Sequence, residues 1–353
     1  MKILYGVQAT GNGHITRARA MNKAFQDEQL DVDFLFSGRA RPDMFDMEEF
    51  GDFKCYQGLT FVTHRGTVMP LASFKNTNFR QLYRDIRAIN LSQYDLIVTD
   101  FEPISAWAGR AQHKKTIAIG HQYAFKHGIP KVGDGLIARF FMQHFAPAEI
   151  TLGLHWHHFD QLILPPIAQT YTEAVETIDN KIIVYLGFEN FEDIVSLIAP
   201  FKQYSFYVYG DFSENMIDSS RNLRHIKLCP LSRDAFKKDL ASSNGVISNA
   251  GFELSSEAIH LGKKILVKPL TGQMEQSSNA KALTQLNLGT SMQHLDPMVL
   301  EHWLSHFKGK RIIYPDVAAA VVNWIVSDRE ACPVQSLQSL ANSLWDKVEL
   351  VDI

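Results

Sequence analysis

Two stretches of this sequence set glycines beside titratable side chains in an order that suits group transfer. In the first, Gln8-Ala9-Thr10-Gly11-Asn12-Gly13-His14 joins an apolar run to a helical pattern that opens Ile15-Thr16-Arg17. Gly11 and Gly13 let the backbone turn sharply and approach a ligand, and the unpaired amides of a helix start favour an anion or a growing negative charge. His14 ends the turn, and an imidazole, with an unperturbed pKa of ~6.5, takes up a proton near neutral pH. Taken alone, such a glycine pair is equally the tight turn of any βα unit. A dinucleotide fingerprint would place a third glycine where this chain has Thr16, so nicotinamide chemistry is disfavoured.

The second stretch runs Ser248-Asn249-Ala250-Gly251-Phe252-Glu253-Leu254 and on through Glu257 to Gly262, then Lys264 to Pro269. It reads as strand, glycine turn, short helix, glycine stop and strand. The amides from Gly251 through Phe252, Glu253 and Leu254 suit a phosphate, and Glu257, one turn along, suits the hydroxyls of a ribose. Together they fit a nucleotide diphosphate. The next loop brings Glu275, Gln276 and Asn279 to a helix start, which is either ordinary capping or the paired donors and acceptors that sugar hydroxyls require.

Asp100 and Glu102 follow an apolar run at residues 95–99, and His121 follows the next one. Groups at the carboxyl end of a parallel strand sit where α/β proteins bind ligands, so Asp100 is a second candidate base, with Glu102 and His121 as acceptor contacts; polar turns before helices are the plain alternative. His155-Trp156-His157-His158 lacks accompanying Asp, Glu or Cys, and such close neighbours cannot all face one ion, so no metal site is expected. Residues 126–145 mix Lys126, Lys131 and Arg139 with Leu136, Phe140 and Phe145. This pattern fits a buried amphipathic helix better than a membrane-surface or lipid-acceptor contact.

Positioning these residues requires parallel sheets. Apolar runs at 2–7, 31–36, 95–99, 116–119 and 149–154 alternate with helical patterns at 17–25 and 80–90, and residues 53–63 suggest a short strand pair. After a polar stretch near 165–180 the alternation restarts, with strands at 181–186, 205–209, 225–228, 245–248 and 264–268 and helices near 191–202, 233–241, 253–261 and 275–286. The fold class is therefore α/β with two doubly wound Rossmann-like domains facing a cleft. We expect a first domain at 1–168, a second at 169–330, and a helix at 331–353 that returns to the first domain.

The 353 residues, 46% hydrophobic and 21% charged, match two ordinary globular cores. Thirty-five Lys and Arg against 38 Asp and Glu leave a charge of −3, without the basic excess of a nucleic-acid binder. Three spaced cysteines and no apolar run near ~18 residues lead us to expect a cytoplasmic chain that neither crosses a membrane nor carries a disulfide framework.

The two stretches together resemble the GT-B glycosyltransferases that use UDP-sugars, especially the branch that makes peptidoglycan lipid II by transferring N-acetylglucosamine. Thr10-Gly11-Asn12-Gly13-His14 is similar to that family's first turn, and Gly251, Glu257, Gly262, Pro269 and Gln276-Ser277-Ser278-Asn279-Ala280 match its second signature. The resemblance implies that His14 serves the acceptor, Glu257 the ribose, Gly251 to Leu254 the diphosphate, and Glu275 with Gln276 the sugar. It puts Ser232 and Arg233 near the uracil. Two departures stand out. Leu186-Gly187-Phe188-Glu189-Asn190 has one glycine where the family has a glycine-rich turn, and Glu275 stands where the lipid II enzyme has Gln.

The expectation is an inverting, metal-independent transferase that needs no cofactor besides its UDP-sugar donor. Its acceptor would be a glycan or lipid of the cell envelope, met in the cytoplasm or at the inner membrane face. Gly13-His14 followed by Arg17 also resembles the UDP-sugar hydrolases of nonulosonic acid synthesis, an alternative reading; a non-catalytic nucleotide-sugar binder is another.

Overall fold

The computed structural model describes residues 1–60, 63–64, 66–68, 78–168, 175–213, 216, 223–327 and 333–351. Residues 169–174, in the expected domain connection, lie outside this set, as do Ala331 and Cys332. The first half contains β1 (Lys2–Gln8), α1 (Asn12–Asp27), β2 (Asp31–Ser37), β3 (Lys54–Tyr56), the hairpin strands β4 (Thr63–His64) and β5 (Thr67–Val68), α2 (Phe79–Ala88), β6 (Leu96–Asp100), α3 (Pro103–Ala111), β7 (Thr116–Gly120), α4 (His121–Ala124), α5 (Leu136–His144) and β8 (Ile150–Gly153). Six of these strands form a parallel sheet in the order β3-β2-β1-β6-β7-β8.

The second half repeats the plan with β9 (Ile178–Tyr185), α6 (Phe191–Ile198), β10 (Ser205–Gly210), β11 (Ile226–Pro230), α7 (Arg233–Ser242), β12 (Ser243–Asn249), α8 (Phe252–His260), β13 (Lys264–Lys268), α9 (Met274–Gln285) and β14 (Thr290–Ser291). Its parallel sheet runs β11-β10-β9-β12-β13-β14. Then follow α10 (Pro297–His306), β15 (Arg311–Ile313), α11 (Val317–Ser327), α12 (Pro333–Trp345) and β16 (Glu349–Val351).

The central strands are continuous apolar runs because helices cover both faces of a parallel sheet. β6 and β7 are buried at every residue. The strand order reverses between β1 and β6 and again between β9 and β12, and ligands of open α/β sheets bind at such switch points. Apolar contacts run across the junction, where Trp156 packs on Phe252 at 5.0 Å between ring centroids. α11 packs on α1, and Trp345 of α12 donates Nε1–H to Ile163 O at 2.6 Å.

Two expectations change. Among the described residues of 53–63 no strand pair forms: β3 adds to the edge of the main sheet and β4 pairs with β5, because Gly66, at φ 69°, supplies the tight turn there. The stretch expected to be a buried amphipathic helix is half covered. Phe145 is buried against Phe101, whereas Leu136 and Phe140 are 85% and 65% exposed.

Candidate active site

The register sets Val7 of β1 beside Asp100, the last residue of β6. α1 starts four residues after β1, so His14 and Arg17, one helical turn apart, share the face turned toward Asp100. Phe101 then takes φ 51°, a strained left-handed conformation held by its ring packing on Phe145 at 4.7 Å and Tyr123 at 5.7 Å. That turn separates the two neighbouring carboxylates.

Asp100 is fully buried and satisfied by two partners. His14 Nδ1 lies 2.7 Å from Oδ1, Arg17 Nη2 donates to Oδ1 at 2.5 Å, and Arg17 Nε donates to Oδ2 at 2.7 Å. Burial alone would raise the Asp100 carboxyl, but Arg17 and His14 hold it below its ordinary value. Burial would likewise depress the His14 imidazole, and the Asp100 charge outweighs it, so that pKa is raised. An ionised carboxylate only accepts, so the ring donates from Nδ1 and Nε2 remains to take a proton. Arg17, itself with no exposed side-chain surface, also donates Nη1–H to Glu253 Oε1 of α8, tying the two halves together.

Glu253 lies directly over the glycine turn. A Cβ on Gly13 would come 2.6 Å from Glu253 Oε2, so a side chain there would push the Glu253 carboxylate out of its place beside Arg17. Gly11 and Gly251 face open space and cap α1 and α8 in extended conformations. Beyond Glu253 a cavity of about 140 Å³ opens between the halves, lined by Gly13 with Leu254 and Glu257 of α8 and by Ser232 and Arg233 at the start of α7. Its wall is aromatic: Phe236 meets Tyr185 and Tyr209 edge to face, at 5.7 and 4.9 Å. Asn12 Nδ2 donates to Tyr185 Oη at 3.3 Å. Arg19 and Arg233, one from each half, share Glu49 Oε1 at 2.9 and 2.8 Å.

Six expected ligand contacts are engaged elsewhere in this arrangement. Glu102 is buried as the N-cap of α3, accepting from Ile104 N at 2.8 Å, Ser105 N at 2.6 Å and Ser37 Oγ at 2.6 Å, so it holds a helix rather than an acceptor. His121 and Asn279 bind one another across the junction, Nε2 to Oδ1 at 2.6 Å, with the imidazole stacked on Phe252 at 4.0 Å and Nδ1 against Leu154 O. Both are buried, and Asn279 Nδ2 donates to Ala250 O. Glu275 accepts from Gln122 Nε2 of the first half at 2.9 Å, and Gln276 Oε1 accepts from Leu270 N. Phe252 is buried in the junction rather than in the cavity wall.

The residues to which sequence reasoning gave no role are Arg17, named only in the hydrolase resemblance, and the cavity's Tyr185, Tyr209, Phe236 and Lys237. Arg17 had one signal, its place three residues after His14. Among the described residues no three His, Cys, Asp or Glu side chains converge on a metal position; His157 and His158 stack on each other at the surface while His155 is buried beside His121.

With this geometry in place, a family model described as glycosyl transferase family 1 matches residues 1–308. Among solved structures, the glycosyltransferase SnogD from Streptomyces nogalater is similar at a TM-score of 0.55 and 14% identity, covering 93% of this chain and 99% of its own. MurG of Acinetobacter baumannii superposes at 0.52 and 13% identity, over 98% and 95% of the two chains. UGT71G1 of Medicago truncatula, solved with UDP-glucose, gives 0.58 at 12% identity over 98% of each. No curated protein sequence matches the chain.

Proposed function

The chain belongs to glycosyl transferase family 1 and is a glycosyltransferase, and on that premise we propose that it moves a sugar from a UDP-sugar to a hydroxyl, with inversion and without a metal. The observation that carries this reading is the His14–Asp100 contact at the cleft, with the cavity lined by Gly13 and Glu257 next to it. His14 Nε2 takes the proton of the incoming hydroxyl, and Asp100 holds the ring orientation and balances the imidazolium that forms. The hydroxyl oxygen bonds to the anomeric carbon as the bond from that carbon to the diphosphate oxygen breaks on the far side. Glu257 suits the ribose and the Phe236 wall a planar base.

The exposed face of the first half suits a lipid-linked acceptor at a membrane surface. Leu136 and Phe140 stand out beside Arg139 on α5, and Phe79 and Tyr83 beside Arg80 and Arg87 on α2, the pairing of apolar and basic groups that binds anionic interfaces. No described helix is long and apolar enough to cross a membrane.

A thermal-shift series with UDP, GDP, dTDP and their sugars tests the donor. UDP at 100 times its Kd should stabilise the fold by about 2.7 kcal/mol, and no shift with any uridine nucleotide contradicts the reading. Release of free sugar at full rate with no added acceptor would make water the acceptor instead.

A further inference from the structure

The carboxyl ends of β9, β12 and β13 hold a buried ion pair that takes no part in the scheme above. Lys268, the last residue of β13, places Nζ 2.8 Å from Glu189 Oε1, and the side chains are 6% and 7% exposed. Glu189 follows β9 in the loop that has one glycine. Asn249, the last residue of β12, lies between them, donating Nδ2–H to Lys268 O at 3.0 Å and approaching Glu189 Oε1 at 3.4 Å. Gly66, at the turn of the β4–β5 hairpin, covers the pair from the first half: its N–H donates to Phe188 O at 2.7 Å and its carbonyl accepts from Thr271 N at 2.8 Å. A Cβ on Gly66 would collide with the Glu189 carboxylate and the Lys268 ammonium. Glu189 and Lys268 therefore lie at the carboxyl ends of strands beside the switch point between β9 and β12, where Asn249 leads through Ala250 to the Gly251 cap of α8.

A departing nucleoside diphosphate brings negative charge to strand and helix ends that already carry the carboxylates of Asp100, Glu253 and Glu189. Arg17 is committed to two of them, and Arg19 and Arg233 are bridged by Glu49. The start of α8, an ordinary seat for an anion, carries Glu253 in its own first turn. Lys237 stands beside Phe236 at the aromatic end of the cavity. Among the described residues, Lys268 is a cation at the strand ends whose ionic partner is a loop carboxylate.

We infer that Lys268 receives the charge of the leaving diphosphate, with Glu189 as the placeholder that keeps its ammonium paired until the donor enters. This rests on the nucleotide-sugar reading above and adds a residue to it. When the bond between the anomeric carbon and the β-phosphate oxygen breaks, the electron pair stays on that oxygen, and the hydroxyl proton goes to His14 Nε2. Lys268 keeps its own protons and stabilises the oxygen anion by a charge-assisted hydrogen bond, strengthened by burial. A buried lysine with no partner is costly, which gives a displaceable carboxylate its use in the donor-free protein.

Calorimetric titration of the full chain with UDP and with uridine tests the inference. Lys268→Met should weaken UDP about tenfold or more and leave uridine unchanged, and Lys268→Arg should restore most of the loss. Glu189→Gln, which removes the competing charge, should tighten UDP. Equal losses for UDP and uridine in Lys268→Met, or weaker UDP binding in Glu189→Gln, would overturn the inference while leaving the nucleotide-sugar reading intact. Failure of the unsubstituted protein to bind UDP overturns that reading itself. If Lys268→Met does not fold, the Glu189→Gln result decides.

Discussion

His14 works as a base only when its ring is neutral, and Asp100 makes that ring harder to deprotonate. Its raised pKa places the acid limb of kcat/KM above the ordinary ~6.5, so activity should fall through a single protonation as pH drops below that raised value. Asp100→Asn removes the charge that raises the ring, so the limb should move to lower pH while the rate falls by about 10²–10⁴; a pH–rate profile with an unmoved limb would separate the two residues. The same shifts act on stability with opposite signs. The raised His14 stabilises the fold at low pH and loses that contribution as pH rises through its folded value. The lowered Asp100 contributes above the ordinary carboxylate range and is lost as pH falls through its folded value. His14 and Asp100 were both legible in sequence as candidate bases. Their contact was not, because 86 positions separate them and register brings them together. Arg17 was harder still: an arginine on an amphipathic helix reads as solvated surface, and only two carboxylates from distant strands and helices make its burial affordable.

Strand ends and helix starts do most of the positioning. The apolar runs of the central strands were readable because a sheet covered on both faces has no polar side to alternate with. Boundaries were less so; β9 begins at Ile178, three residues ahead of its apolar run, in polar residues Asp179 and Asn180. Glu102 shows how an element claims a residue that chemistry also suits. A carboxylate after a strand reads equally as ligand or cap, and the cap is what Ile104, Ser105 and Ser37 make of it. Glu102→Ala strands those donors and should cost about 1–3 kcal/mol, with UDP affinity unchanged; a stable variant with a raised acceptor KM would return Glu102 to the acceptor site. α5 shows the limit of pattern reading, since periodicity fixes which face of a helix is apolar but not what covers each part of it.

At the scale of the whole molecule, two similar sheets meet through polar contacts contributed by both halves. Arg17 reaches Glu253, His121 reaches Asn279, and Gln122 reaches Glu275. The two-domain plan follows from the repeated strand and helix alternation, but these crossings depend on how the halves dock, which local pattern does not encode. With a net charge of −3, attraction to an anionic surface has to be local. Leu136→Asp combined with Phe140→Asp should reduce sedimentation with anionic lipid vesicles while turnover on a soluble acceptor stays constant; equal binding by both proteins would remove α5 from any membrane contact. The central claim is that His14 is the base of sugar transfer rather than a part of the nucleotide site. It is tested most directly by His14→Ala, measured for UDP affinity and for UDP-sugar turnover side by side. We expect UDP to bind nearly as before and turnover to fall by at least about 10², whereas lost UDP affinity with preserved turnover would contradict the assignment.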